Sequence, residues 1–370
     1  GVPSRPVASK LQLRKRLHDP SYSLCDSPQT VPYRLLLGNM APLSLHSVLT
    51  SGNMKMPILG LGTWQGTNEE VEIAVDAALE AGYRHIDTAH SYGNEEGIGK
   101  VLKKWFDSGK LKREEVFVVT KCNPTHFRPE HIEKSLDQSL ARLGLAYVDL
   151  FLAHMPMGFA YKDVGFVVVD GKVQVDMSTD LIANWKVMEG LVDKGKTKFI
   201  GVSNFKQSQV KRILDTARIK PTNNQVELNV YLQQPELVKF CKENGVIICA
   251  YGPIGSPNLA SFNENRGMTT EGMNILRPLE DPVVLEIAKK HGKTAAQILL
   301  RFLIQYGVVA IPKSSKPERL RQNADIFDFE LSAEEFSRLK SLDKGAAGRQ
   351  FGGEKGFFEA CAKHPEYSLA

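Results

Sequence analysis

The chain of 370 residues lacks a long hydrophobic run: no apolar stretch approaches the roughly 20 residues that a membrane-crossing helix needs. Cysteine is scarce and unpatterned. Cys25, Cys122, Cys241, Cys249 and Cys361 make an odd set without C-x-x-C spacing. The plain reading is reduced thiols in a cytoplasmic protein rather than a disulfide framework. Also missing are a nucleophile elbow, a metal-ligand cluster and a pair of acid/base carboxylates, so hydrolysis is poorly supported and no metal is expected. Excess charge is missing from most of the chain. The formal net charge is +5, but residues 1–39 set six cations (Arg5, Lys10, Arg14, Lys15, Arg16 and Arg34) against Asp19 and Asp26. The rest is nearly neutral, which offers no case for nucleic-acid binding.

The basic head has neither clear hydrophobic periodicity nor the apolar core of a secretory signal. Residues 1–42 are therefore expected to be a disordered basic extension. It could be transit-like or added upstream, with Met40 a plausible start. Residues 43–370 are expected to form a single domain.

What the chain does have is a repeated grammar. ILGL (58–61) is followed by seven short apolar runs, each closing on a polar residue: Asp87, Lys121, His154, Ser203-Asn204, Gln225, Tyr251 and Lys313. Helical patterns separate the runs. Val71, Val75, Ala78 and Leu79 share one face before Gly82, and Ile132, Leu136, Leu140 and Leu143 share another before Gly144. Asp281-Pro282, Thr294 and the capping box Ser332-Ala-Glu-Glu335 mark helix starts. Eight strands alternating with helices predict an α/β fold, a (β/α)₈ TIM barrel whose chemistry gathers at the C-terminal strand ends. Three segments fall outside the repeat: an N-terminal hairpin over 43–57, an insertion over 155–180 and a tail over 343–370. Long loops at that end, with 256–280, are expected to shape specificity.

Singly, the ionisable groups have dull explanations: Asp87 a helix cap, Lys121 a surface charge, His154 a core histidine, Tyr92 a packing residue. Their placement at converging strand ends argues for chemistry. A tyrosine hydroxyl has an ordinary pKa near ~10. An ammonium about 4 Å away at an effective dielectric near 20 favours the phenolate by roughly 4 kcal/mol. Lys121 is thus expected to pull Tyr92 down towards a general acid's range, with Asp87 holding the ammonium and His154 orienting a substrate oxygen. A proton donor without a nucleophile calls for a hydride source. Ser203, Asn204 and Gln225 suit a carboxamide such as nicotinamide, and Tyr251 offers a stacking face. The loop GPIGSPN (252–258), with Gly252, Ile254 and Ser256, lies where barrels commonly bind phosphate. Lys313, Ser314, Arg319 and Asn323 suit a 2′-phosphate and so favour NADPH over NADH. GLGTWQG (60–66) has the wrong glycine spacing for a dinucleotide fingerprint. It reads as a turn presenting Trp64 to the substrate pocket, with Thr63 beside it on the cofactor side.

Three segments, GYRHIDTAHSYGNEEGIGKVL (82–102), LVDKGKTKFIGVSNF (191–205) and VVAIPKSSKPERLRQN (308–323), resemble the aldo-keto reductases, and the likeness extends over roughly residues 45–370. The resemblance implies a catalytic tetrad of Tyr92, Asp87, Lys121 and His154, NADPH as cofactor, and a monomer acting on a small-molecule carbonyl substrate. Within the family the chain is similar to the aldose-reductase-like branch and to insect 3-dehydroecdysone reductases. It departs from mammalian aldose reductases at Met155, at Cys122-Asn123 and at Ser91, which stand where those enzymes carry Trp, Leu-Trp and Val. A roomier pocket for bulky ketones, with Met155 as an adaptable wall, is the expectation. The main alternative is an NADPH-holding regulatory subunit with little turnover, and a recruited structural role is a third.

Overall fold

The computed structural model describes residues 42–265, 275–352 and 356–368. Residues 1–41 of the expected head, 1–42, and parts of the 256–280 and 343–370 loops lie outside the described residues. A hairpin comes first, β1 (Val48–Ser51) against β2 (Met54–Pro57), antiparallel. Met54 and Met56 point from it into the barrel interior, against Val119, Leu150, Leu152, Ile247 and Val309. The hairpin therefore plugs one end of the barrel with apolar side chains, each contributing roughly 1.5–3 kcal/mol when fully buried.

The barrel follows the strand–helix repeat. Its strands are β3 (Leu61–Gly62), β4 (His85–Asp87), β5 (Phe117–Cys122), β6 (Val148–Ala153), β11 (Thr197–Ser203), β12 (Asn223–Glu227), β13 (Ile247–Tyr251) and β14 (Val309–Ala310), with four two-residue strands, β7 to β10, inside the 155–180 insertion. The eight pair in parallel in chain order. Parallel bridges Leu59–Ala310 and Gly62–Lys313 join the last strand to the first. The seam is tight: a Cβ on Gly62 would stand 2.7 Å from the Ile311 carbonyl oxygen, so only glycine fits there.

Helices start and stop where cap chemistry directs. Helix α1 (Asn68–Glu80) opens on a Thr67–Glu70 capping box and buries Val71, Ala74, Val75, Ala78 and Leu79. Helix α2 spans Glu95–Asp107, and α3 (Ile132–Leu143) ends on Gly144 at φ +63°. Thr294 and Ser332 each complete a capping box, and the Asp281 side chain accepts from Val283 N–H. The run NNQVE assigned to Gln225 is the strand Asn223–Glu227 itself, and within it Gln225 and Glu227, two residues apart, share a face.

Candidate active site

The strand ends bring the four ionisable residues together. Asp87 ends β4, Lys121 sits in β5, and His154 follows β6 by one residue. Tyr92 arrives on a 3-10 turn, His90–Tyr92, released by Gly93 at φ +69°. Buried Asn94 pins that turn: its Nδ2 donates to the carbonyls of Thr63 and Gly66, and its Oδ1 accepts from Thr88. Beside it, buried Glu95 takes Thr120 Oγ1 at 2.6 Å and a two-pronged grip from Arg142.

Lys121, fully buried, donates to Asp87 Oδ1 at 2.6 Å, to the Thr88 carbonyl at 2.8 Å and to the Tyr92 hydroxyl at 3.2 Å. All three ammonium protons thus have acceptors. The other Asp87 oxygen accepts from Gln225 Nε2 at 2.6 Å. The His154 and Tyr92 rings meet edge to face at 5.8 Å. Ser91 Oγ lies 3.5 Å from His154 Nδ1.

The electrostatics correct one expectation. The Tyr92 phenol is raised, not lowered, because burial disfavours the phenolate more than the Lys121 ammonium favours it, and Asp87 adds a further upward push. Burial alone would lower Lys121, but Asp87 and then Tyr92 reverse this and hold it above its ordinary value. His154 is depressed to about 3, first by burial and then by Lys121, so it is neutral at physiological pH. In the resting site Tyr92 keeps its proton, Lys121 is charged, and His154 is an uncharged imidazole.

The later strand ends carry the groups expected to meet a cofactor. Ser203 Oγ donates to the Gln225 carbonyl at 2.9 Å. Asn204, at φ +65°, donates from Nδ2 to the His154 carbonyl at 2.9 Å and approaches the Met155 sulfur at 3.3 Å. Its Oδ1 accepts from the Tyr251 hydroxyl at 2.8 Å. Thr63 spends its hydroxyl on the Asp87 carbonyl at 2.9 Å. Trp64 packs edge-on against Phe262 at 5.2 Å and Phe351 at 5.6 Å. Gly252 takes φ +60° and Ser256 φ +43°, with Ile254 packed against the main core between them.

Lys313 borders the barrel seam, and Ser314, buried, accepts from Lys316 N–H at 3.1 Å just before the helix Pro317–Ala324. Arg319 is exposed and Asn323 buried on that helix. Among the described residues, Lys313, Lys316 and Arg319 form no ion pair, and the Asn323 carboxamide has no hydrogen-bond partner. Unpaired cations beside an unpartnered amide suit an anionic group. The expected aromatic gaps differ in kind. Asn123 is buried and spends its Oδ1 capping a turn, and Cys122 faces the core. Met155 packs instead with the insertion and the tail, beside Met157, Phe159 and Cys361.

A model of the Aldo/keto reductase family matches residues 58–344. The chain belongs to the aldo/keto reductase family. It is 43% identical over 304 residues to mouse Aldo-keto reductase family 1 member A1, covering 82% of this chain and 90% of that protein. The Xenopus tropicalis protein of the same name is 43% identical over 307 residues, with 82% and 90% covered, and the human one 42% over 299 residues, with 80% and 89% covered. Among solved structures, the aldose reductase of Schistosoma japonicum aligns with a TM-score of 0.76 at 37% identity, over 89% of this chain and 98% of that one. Family membership makes the chain an oxidoreductase of the carbonyl-reducing kind. Reading the sequence alone missed Asn94, Glu227, Phe262 and Phe351 around this site. Glu227 carried a signal, its two-residue spacing from Gln225; of the aromatic pair, Phe262 sits on the short helix Leu259–Glu264 and Phe351 in irregular chain, neither within a periodic pattern long enough to place it.

Proposed function

We propose that the protein reduces aldehydes and ketones to alcohols with NADPH as cofactor, Tyr92 acting as the general acid. The observation that carries this reading is the Asp87–Lys121–Tyr92 chain, with the 3.2 Å Lys121–Tyr92 hydrogen bond at its reacting end. A protonated phenol is what an acid must be before the reaction. As negative charge grows on a substrate oxygen, Tyr92 passes its proton to that oxygen, and the fixed Lys121 ammonium stabilises the phenolate left behind. His154 is neutral, so it donates through one ring nitrogen only. We assign the tautomer with the proton on Nε2, in which Nδ1 is free to accept from Ser91 Oγ, 3.5 Å away. That donor is what orients and polarises a carbonyl oxygen beside Tyr92.

The residues present fit a nicotinamide dinucleotide. Ser203, Asn204 and Gln225 would hold its carboxamide, Tyr251 its ring, the turn from Gly252 through Ile254 to Ser256 its phosphates, and Lys313, Ser314, Arg319 and Asn323 a 2′-phosphate. Lys313 and Arg319, without an ion pair among the described residues, favour the doubly charged 2′-phosphate over a bare hydroxyl. Such a cofactor, when bound, supplies hydride to the carbonyl carbon.

The substrate wall formed by Trp64, Tyr92, His154 and Met155 suits bulky ketones, ecdysteroid-like ones included, because a flexible thioether replaces a rigid aromatic. Met155→Trp should then slow bulky ketones relative to small aldehydes, and an unchanged ratio would sink that part. Four described cysteines are unpaired and buried, which supports a reducing, cytoplasmic setting; we propose that the protein works there as a monomer. No helix among the described residues is long and apolar enough to cross a membrane. The function is tested by following NADPH oxidation with small aldehydes, aromatic aldehydes, sugars and steroidal ketones. Turnover of at least one class is expected; tight NADPH binding without turnover of any would replace the enzyme with a cofactor-sensing subunit.

A further inference from the structure

Glu227 has no part in the chemistry above, yet it ends β12 directly at the mouth of the barrel and is 1% exposed. Its carboxylate accepts from the backbone N–H of Gln350 at 2.8 Å and of Phe351 at 3.1 Å, with the Arg349 guanidinium 4.0 Å away. Burial pushes this carboxyl up, and the two amides and Arg349 pull against that shift. A carboxylate is kept in so dry a place only when well supplied with donors, and here the donors belong to the C-terminal segment.

That segment carries one aromatic ring to a point between the two halves of the site. Phe351 meets Trp64 edge-on at 5.6 Å and Tyr251 edge-on at 5.4 Å. A Cβ added at Gly252 would lie 3.5 Å from Phe351 Cε2 and 4.0 Å from Glu227 Cγ, so ring, carboxylate and phosphate-loop glycine share one small space. The segment is fixed separately upstream. Lys344 N–H donates to the Tyr231 carbonyl at 2.8 Å, and Gly348 lies so close that a Cβ would stand 1.9 Å from that oxygen. Glu227 therefore governs residues 349–351, not the whole tail.

We propose that Glu227 is a positioning residue: by accepting from the Gln350 and Phe351 amides it seats the Phe351 ring as a wall shared by the substrate and cofactor pockets, and so sets how tightly small carbonyl substrates are held. The proposal rests on the reductase reading. With Phe351 unseated, a small aldehyde loses the surface pressing it against Trp64, while Tyr92, Lys121 and His154 are untouched. The loss falls on KM and spares kcat. Bulky ketones, which reach other walls, lose less.

The test combines steady-state kinetics on a small aromatic aldehyde with amide hydrogen exchange at residues 350 and 351, in full-length Glu227→Ala, Phe351→Ala and the double variant. Glu227→Gln, nearly isosteric and keeping one acceptor oxygen, serves where the alanine variant does not fold. Expected are faster exchange at both amides and a KM raised about tenfold with kcat within about twofold. The double variant should be no worse than Phe351→Ala alone. Glu227→Gln should fall between wild type and Glu227→Ala. Unchanged exchange, an unchanged KM despite faster exchange, or additive effects in the double variant would each overturn the proposal. A wild-type protein that reduces no carbonyl sinks the reductase reading instead, and the exchange data then judge the anchor separately.

Discussion

The two halves of the barrel mouth treat charge in opposite ways. On the side of β4, β5 and β6, every ionic group is consumed internally: Lys121 has three partners, Asp87 has Lys121 and Gln225, and Glu95 has Thr120 and Arg142. On the side of β14 and the helix Pro317–Ala324, Lys313, Lys316 and Arg319 have no ion pair, and the Asn323 amide no hydrogen-bond partner, among the described residues. The first arrangement is finished and rigid, as a catalytic set must be when its geometry has to be correct before the substrate arrives. The second is left open, and an anion completes it. One half is built for reaction, the other for capture.

That contrast can be broken, and the largest expected effect comes from the reacting half. Tyr92→Phe removes the proton donor and leaves the ring in place, so kcat should fall by roughly 10²–10⁴-fold. NADPH affinity, measured by fluorescence titration, should stay within about twofold, since the hydroxyl removed is bonded to Lys121 and the ring that remains keeps its contact with His154. Lys121→Met comes next. It strands the Asp87 carboxylate with Gln225 alone, and losing one partner of a buried ion pair costs about 3–5 kcal/mol, readable as a lower midpoint in chemical denaturation. A near-normal midpoint would show that this half is not the internally saturated unit described.

The open half should respond differently. Arg319→Ala should weaken NADPH about tenfold and leave NADH nearly unchanged, because only the 2′-phosphate needs the cation. Stability should not change, since Arg319 is exposed and forms no ion pair among the described residues. Equal losses for both cofactors would move the 2′-phosphate elsewhere.

A smaller effect concerns pH and belongs again to the reacting side. His85, His126 and His154 lie on or just beyond β4, β5 and β6, and burial is the first cause depressing each, to about 4, 4 and 3. Between the ordinary value of ~6.5 and those depressed values, the unfolded chain binds protons that the folded protein does not. Stability from these groups is therefore complete above about pH 6.5 and is lost as the pH falls towards 4. Thermal melts should show the midpoint dropping through that window and level from pH 7 to 8. A flat profile down to pH 4 would contradict the burial of neutral imidazoles.

Much of this was legible in the sequence because periodicity and cap chemistry are local. Val71 to Leu79 announces α1, Gly144 ends α3, and the strand-end positions of Asp87, Lys121 and His154 follow from the apolar runs. What escaped depends on distance along the chain. Phe351 reaches Trp64 and Tyr251 from a tail with no repeat to place it, and Glu227 looked like the end of an already explained strand. The upward shift of Tyr92 escaped for another reason. A charge pair can be inferred from spacing, but the desolvation opposing it depends on how deeply the folded chain covers the phenol.

The most direct test of the division between the halves is a crossed measurement on two variants, NADPH binding by fluorescence titration and kcat at saturating NADPH with one aldehyde. Tyr92→Phe should lose turnover and keep binding, while Arg319→Ala should lose binding and keep kcat. If Tyr92→Phe still reduces the aldehyde at a rate near wild type, or if each substitution damages both properties alike, the division of the mouth into a reacting half and a capturing half is wrong.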